Sequence, residues 1–264
     1  MQMVRLSRCS RLRRRRDEEG DPDPLNTIDP YELREFILTV YINASILGFI
    51  SALPLLIISS LMLSVVTILP VPPYFWMVLA FGVLSILTCL PVRRVRRPIL
   101  WVMAIGDVEL IALAGAYFVS VLEISQMMVF SLMAGLVLIP LLICGAKCRK
   151  SCLPNVLVTV VIVCLCLAAL FPLWILTLVT DQVYYLVGFT VALFILAVVL
   201  VPLQVQFIHG RMHYVPLDYD LICSLCIVID GWILFFCITV FCCTFAQKIS
   251  GSPNYLEGLS TVPK

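Results

Sequence analysis

A chain of 264 residues that is 62% hydrophobic and only 13% charged departs from ordinary soluble domains, which are about half apolar and about a quarter charged. A water-soluble fold of this size has too little interior to bury so much apolar surface, so the composition excludes a soluble globular enzyme or binding module. The net charge of +2 indicates no class of partner by itself, but the placement of the charges is informative.

Seven long apolar runs follow one another along the chain, and each approaches the roughly 20 residues that cross about 30 Å of hydrocarbon. We therefore predict an all-α membrane protein, a bundle of seven transmembrane helices. In chain order the predicted spans cover residues 36–59, 74–92, 99–122, 125–145, 153–179, 184–208 and 221–245. The chain is thereby divided into an N-terminal tail (1–35), a transmembrane domain (36–246) and a C-terminal tail (247–264).

The basic residues predict the orientation of this bundle, because Lys and Arg collect in the cytosolic connections of membrane proteins. Sixteen of the eighteen lie in the N-terminal tail and in the second–third, fourth–fifth and sixth–seventh connections, which share one side of a seven-span bundle. Only Lys248 and Lys264 lie on the other side. We therefore predict a cytosolic N-terminus and a lumenal or extracellular C-terminus.

Three carboxylates lie inside predicted spans, where ionisable groups are costly and are functional candidates by default. Asp107 and Glu109 are in the third span and Asp230 is in the seventh. At about 1.5 Å per residue, Asp107 and Asp230 lie roughly 12 Å and 14 Å from the cytosolic side, so they can meet at one depth. Glu109, two residues from Asp107, points to a different side of its helix. Such a pair indicates either a cation or proton site, or protonated carboxyls that act as hydrogen-bonding glue between helices.

Other polar groups give weaker indications, and from them we predict no metal site and no cofactor. Cys223 and Cys226 share a helix face with Asp230, but two thiols and one carboxylate are a poor metal set, so close helix packing is favoured. The two histidines, His209 and His213, have a spacing that zinc ligands can use, but Gly210 between them favours a solvated loop.

The fourth–fifth connection and the N-terminal tail each hold one further candidate feature. Cys148 and Cys152 flank a basic connection, and their position beside a predicted span makes them candidates for palmitoylation. The arginines of the stretch 11–16 fit a topology anchor that contacts anionic lipid, a retention sequence for the endoplasmic reticulum or a nucleic-acid patch. We expect the lipid contact and no nucleic-acid partner.

Two stretches of the chain resemble the transmembrane Bax inhibitor motif family, also called the Lifeguard family. Its first span is led by Arg, then Phe, then Val-Tyr, to which Arg34-Glu35-Phe36-Ile37-Leu38-Thr39-Val40-Tyr41 is similar. Its last span has an acidic-Tyr lead and a central Asp, similar to Asp218-Tyr219 and Asp230. The resemblance implies a seven-span fold with a calcium leak gated by two paired aspartates, on the sixth and seventh spans.

The sixth span departs from that family. The family's Asp-x-Gln unit corresponds here to Gln204-Val205-Gln206 before Gly210, so Gln204 replaces the first aspartate and only Asp230 matches. A glutamine has neither a charge nor a proton to share. We predict from depth alone that Asp107 replaces the missing partner, which makes Asp230, Asp107, Glu109 and Gln204 the candidate ion or proton site.

The divergence in the sixth span is similar to that of the seven-span proteins encoded in the unique-short region of cytomegaloviruses. This resemblance implies residence in host endomembranes such as the endoplasmic reticulum or Golgi, and regulation of cell death, calcium homeostasis or immune-ligand trafficking through other membrane proteins. The expected function is thus non-enzymatic, with the lipid bilayer, other membrane proteins and calcium as expected partners. The alternatives are a cation leak channel or transporter that uses Asp230 and, less favoured, an intramembrane enzyme.

Overall fold

The computed structural model describes residues 29–61, 71, 73–90, 95–119, 122–147, 156–180, 182–211 and 217–250. Over these ranges the chain forms helices and no strand, which confirms the all-helical prediction. The helices are α1 (Pro30–Ser60), α2 (Pro73–Cys89), α3 (Arg97–Val119), α4 (Ile124–Lys147), α5 (Val156–Thr180), α6 (Val183–Ile208) and α7 (Asp220–Ser250).

Six of these helices, all except α2, are long and apolar enough to cross a membrane. The protein is therefore an integral, multi-pass membrane protein in contact with lipid. Helix α2 has 17 residues and is about 25 Å long, somewhat short of a hydrocarbon core of about 30 Å. The count of seven spans consequently stays a prediction.

Capping explains why α1 starts at Pro30, before the apolar run itself begins. The Asp29 side chain accepts a hydrogen bond from the Tyr31 backbone N–H at 3.0 Å, and Pro30 occupies the first helical position. Both are favoured helix starts, because the cap satisfies an orphan donor and proline has the right φ already. At the C-terminal end of the transmembrane domain, α7 continues to Ser250. Both helices thus reach past the spans predicted from hydropathy.

Two apolar clusters fix the relative directions of the helices. One cluster joins the first halves of α1, α3 and α7, for example through Leu100 and Leu225, to Leu87 near the end of α2. The other joins Leu55, near the end of α1, to Tyr117, near the end of α3, and to the starts of α2 and α4. Helices α1, α3 and α7 therefore run parallel, and α2 and α4 run in the opposite direction.

The starts of α1, α3 and α7 lie at the same end of the bundle as the ends of α4 and α6. Arg97 lies 3.9 Å from Asp220, and Arg211 donates a hydrogen bond to the Gly145 carbonyl at 3.0 Å. We call this the basic end, because the described cations of the predicted cytosolic set are found there: Arg34, Arg96, Arg97, Lys147 and Arg211. That this end faces the cytosol stays a prediction of the positive-inside rule.

Helix α7 is the centre of the bundle, and half of its most apolar segment is buried. It packs against α1, α3, α4 and α6, whereas α2 packs mainly on α3, and α5 mainly on α6. Large apolar side chains cover the outer faces of α4 and α5, including Leu132, Leu136, Leu157 and Leu165. In a bilayer these faces contact lipid chains, so their exposure needs no further protein partner.

Candidate proton or cation site in the bundle core

Asp107 on α3 and Asp230 on α7 are both buried, with exposed fractions of 0% and 4%. Each lies ten residues after the first residue of its helix, Arg97 or Asp220. Those two starts are joined by the 3.9 Å ion pair, so both carboxyls lie about 15 Å along parallel helices. The structure therefore has the two side chains at a common depth, as the sequence predicts.

The hydrogen bonding of these carboxyls is incomplete. Among the described residues, neither Oδ1 nor Oδ2 of Asp107 has a hydrogen-bond partner, and the same holds for Oδ2 of Asp230. A buried polar atom without a partner costs roughly 1–3 kcal/mol, and native proteins contain few of them. Three such atoms, on two helices and at a common depth, make this part of the bundle the candidate site.

Gln204 on α6 completes the neighbourhood of Asp230. Its side-chain amide lies beside the Asp230 carboxyl group, and its own Oε1 is buried without a hydrogen-bond partner among the described residues. Gln204 therefore occupies the position beside Asp230 that the resemblance gives to a second aspartate. It supplies a donor and a neutral oxygen in place of a second charge.

Cys226 lies one helical turn before Asp230 on α7. Asp230 and Asp107 both lie within electrostatic range of its thiol, so both carboxyls are near this part of α7. Within the described ranges no group of three or more His, Cys, Asp or Glu side chains is arranged to hold a metal ion. The unpartnered acceptors are all oxygens, which suit protons and hard cations better than soft metals.

Glu109 belongs to a different environment from Asp107. It is only partly buried, whereas Asp107 two residues earlier is fully enclosed. The structure therefore orients Asp107, and not Glu109, towards the interior of the bundle, which leaves Glu109 beside the core site.

The sequence did not indicate the polar contact next to this site. The Trp232 indole N–H donates a hydrogen bond to the Ser51 hydroxyl on α1 at 3.2 Å, and Ser51 is almost completely buried. Trp232 lies two residues after Asp230. This contact therefore holds α1 against α7 just beyond the Asp230 carboxyl, on the side away from the basic end. The sequence feature that could have indicated this contact is a serine in the middle of an apolar span, because such hydroxyls often hydrogen-bond between helices.

His209 is not a residue of a solvated loop, which corrects the sequence-based interpretation. It is half-buried at the end of α6, and its Nε2 is 3.2 Å from the Tyr41 hydroxyl on α1. Burial lowers the pKa of His209 below its ordinary value of 6.5, and the neighbouring Arg211 lowers that pKa further. Its partner in the zinc-like spacing, His213, lies outside the described residues, as do the palmitoylation candidates Cys148 and Cys152.

No protein-family model, curated protein or solved structure significantly matches this chain.

Proposed function

We propose that this protein is a non-enzymatic membrane regulator of the Bax-inhibitor-like kind, and that its working element is the acidic site formed by Asp107, Asp230 and Gln204. Through this site the bundle passes protons or small hydrated cations such as calcium. The location we propose is an endomembrane of a host cell, where such a leak alters calcium homeostasis and cell death. The similarity of the first and last spans to the Lifeguard family supports this class. The divergence of the sixth span, which is similar to that of the cytomegalovirus unique-short-region proteins, supports this compartment.

The observation that carries the proposal is a set of buried acceptor oxygens for which the described ranges provide no donor. Two belong to Asp107, one to Asp230 and one to Gln204. Two ionised carboxylates in hydrocarbon are too costly to persist unneutralised, so at least one proton or cation must reside among them. Occupancy that depends on pH or cation concentration follows directly from that requirement.

The alternative, in which the carboxyls are only glue between helices, has less support. A protonated Asp107 that held α3 to its neighbours would have an acceptor or donor within hydrogen-bonding distance, because that contact is the source of its stabilising effect. Within the part of the chain that the structure describes, both of its oxygens lack such a partner.

The test is flux in vesicles that contain the purified full-length protein and a trapped pH-sensitive or calcium-sensitive dye. We expect Asp107→Asn and Asp230→Asn each to lower the flux by about tenfold or more, a change that requires only about 1.4 kcal/mol at the rate-limiting step. Glu109→Gln is the matched control, because it makes the same carboxyl-to-amide change on α3 outside the core. Unchanged flux in both Asn variants would contradict the assignment of the site to Asp107 and Asp230. Absence of flux in the unmodified protein would contradict the proposed leak of protons or cations.

Thermal unfolding of Asp107→Ala in detergent distinguishes an ion or proton site from carboxyls that only hydrogen-bond between helices. Removing an unpartnered buried carboxyl relieves a desolvation cost of about 1–3 kcal/mol, so we expect a stability equal to or above that of the unmodified protein. A marked loss of stability in this variant supports structural glue instead.

A further inference from the structure

A cavity of about 250 Å³ opens between α2, α3 and α7 at the basic end of the bundle. Its inner wall is apolar and includes Leu100 and Leu225, both almost completely buried. Its polar lining comes from the starts of α3 and α7. This volume is below the roughly 300 Å³ at which pockets for drug-sized molecules begin, so the cavity accommodates a small polar group and not a whole lipid.

Charges of both signs line this cavity: Arg97 on one side, and Asp218 and Asp220 on the other. The Arg97 and Asp220 side chains are 3.9 Å apart, and Arg97 is 76% exposed. Asp220 is 17% exposed. A pair at that distance with one partner largely in solvent contributes little, about 0–1 kcal/mol, so each partner can exchange the other for a ligand group. A ligand that matches these three side chains carries a cation and an anion, with the cation facing the carboxylates.

Two aromatic rings complete the lining, Trp101 of α3 and Tyr219 just before α7. Aromatic faces attract ammonium groups when these lie within about 6 Å of the ring centre. The helix starts that carry both rings lie where a bilayer changes from hydrocarbon to headgroups, a level at which Trp and Tyr are enriched.

We propose that this cavity binds the headgroup of a zwitterionic phospholipid, one with a phosphate and an ammonium group such as phosphatidylcholine. The ammonium lies between the carboxylates of Asp218 and Asp220 and the rings of Trp101 and Tyr219. The phosphate lies against the Arg97 guanidinium, and the glycerol end lies on the apolar wall. This site is separate from the carboxyl pair in the core, and its existence does not depend on the proposed leak.

The probe is dihexanoylphosphatidylcholine, a water-soluble short-chain lipid, added to the full-length protein in maltoside micelles. Binding is followed as the part of the tryptophan fluorescence change that disappears in Trp101→Phe. We expect that part to saturate with the choline lipid and to be absent with dihexanoylphosphatidylglycerol, which has no ammonium, and with inorganic phosphate. Asp220→Asn and Arg97→Gln are each expected to weaken binding about tenfold, the effect of losing one charged contact.

Glu32→Gln is the matched control, since it removes one exposed carboxylate from the same end of the bundle and should leave the affinity unchanged. Asp220→Glu, which keeps the charge, should bind within a few-fold of the unmodified protein. If Asp220→Asn elutes as an aggregate in size-exclusion chromatography, Asp218→Asn provides the same charge test. Equal binding of the glycerol lipid indicates an apolar crevice, and competition by inorganic phosphate indicates a simple anion site. Either result, or the absence of a Trp101-dependent signal, overturns the proposal.

Discussion

The contact between His209 and Tyr41 joins the end of α6 to the first half of α1 across 168 positions of sequence. The imidazole is half-buried, and Arg211 is its charged neighbour. Both conditions disfavour a positive ring, so the pKa of His209 in the folded protein lies below its ordinary value of 6.5. In the unfolded chain the same ring regains that ordinary value, and the difference links folding to pH.

Stability should therefore decrease in acid. As the pH falls below 6.5, the unfolded chain binds a proton before the folded protein does, which favours unfolding. The contribution of neutral His209 is fully present above pH 6.5 and is lost as the pH falls through the pKa of the folded protein. Thermal unfolding in detergent between pH 5 and 8 measures this slope. His209→Gln should lack the part of the pH dependence that comes from His209. Identical slopes of stability against pH in both proteins would contradict its assignment to His209.

At the scale of the helices, α4 and α6 cross with almost no space between them at Gly145. A Cβ atom at Gly145 would lie 2.7 Å from the Pro202 carbonyl oxygen and 2.7 Å from the Val205 Cβ. The first of these obstacles is backbone and the second is a branched side chain at its root, so neither can move away cheaply. Arg211 adds a hydrogen bond to the Gly145 carbonyl at the same crossing.

Gly145→Ala should consequently push α4 away from α6 and destabilise the protein by about 1–3 kcal/mol, the usual cost of overpacking. Gly135→Ala is the matched control on the same helix, because nothing lies within 4 Å of its added Cβ. There the better helix propensity of alanine should leave stability equal or slightly higher. Thermal unfolding of the two variants side by side makes the comparison, and equal stability of the variants would contradict the tight crossing.

Much of the helix layout could be predicted from hydropathy, since each run of about 20 apolar residues has few alternatives to a helix in lipid. The orientation of each helix about its own axis could not. Helix α3 is apolar on all sides, so no stripe shows whether Asp107 or Glu109 faces the core. The crossing partner of Gly145 is 57 residues away in sequence, and glycine alone does not specify it. The contact of His209 with Tyr41 could not be predicted either, because the two residues are 168 positions apart in sequence.

At the scale of the whole molecule, the sequence and the structure agree best on which helix ends lie together at each end of the bundle. The prediction from charge requires α2 to cross the bundle, and the two apolar clusters show α2 running from the level of Tyr117 at one end to that of Leu100 at the other. Its 17 residues leave about 5 Å of hydrocarbon to be matched by local thinning or by the residues around it, an adjustment that bilayers tolerate at modest cost.

Glycosylation mapping tests the resulting topology. An acceptor sequon appended after Lys264 should be glycosylated in microsomes, because an odd number of spans puts the C-terminus in the lumen, whereas a sequon inserted in residues 1–28 should stay unmodified. The natural sequence Asn43-Ala44-Ser45 is an internal control, since it lies inside α1, where the Ser45 hydroxyl hydrogen-bonds the Tyr41 carbonyl at 2.9 Å. Modification of both engineered ends, or of neither, would mean an even number of crossings. In that case α2 lies within one leaflet, and the basic connections no longer share a compartment.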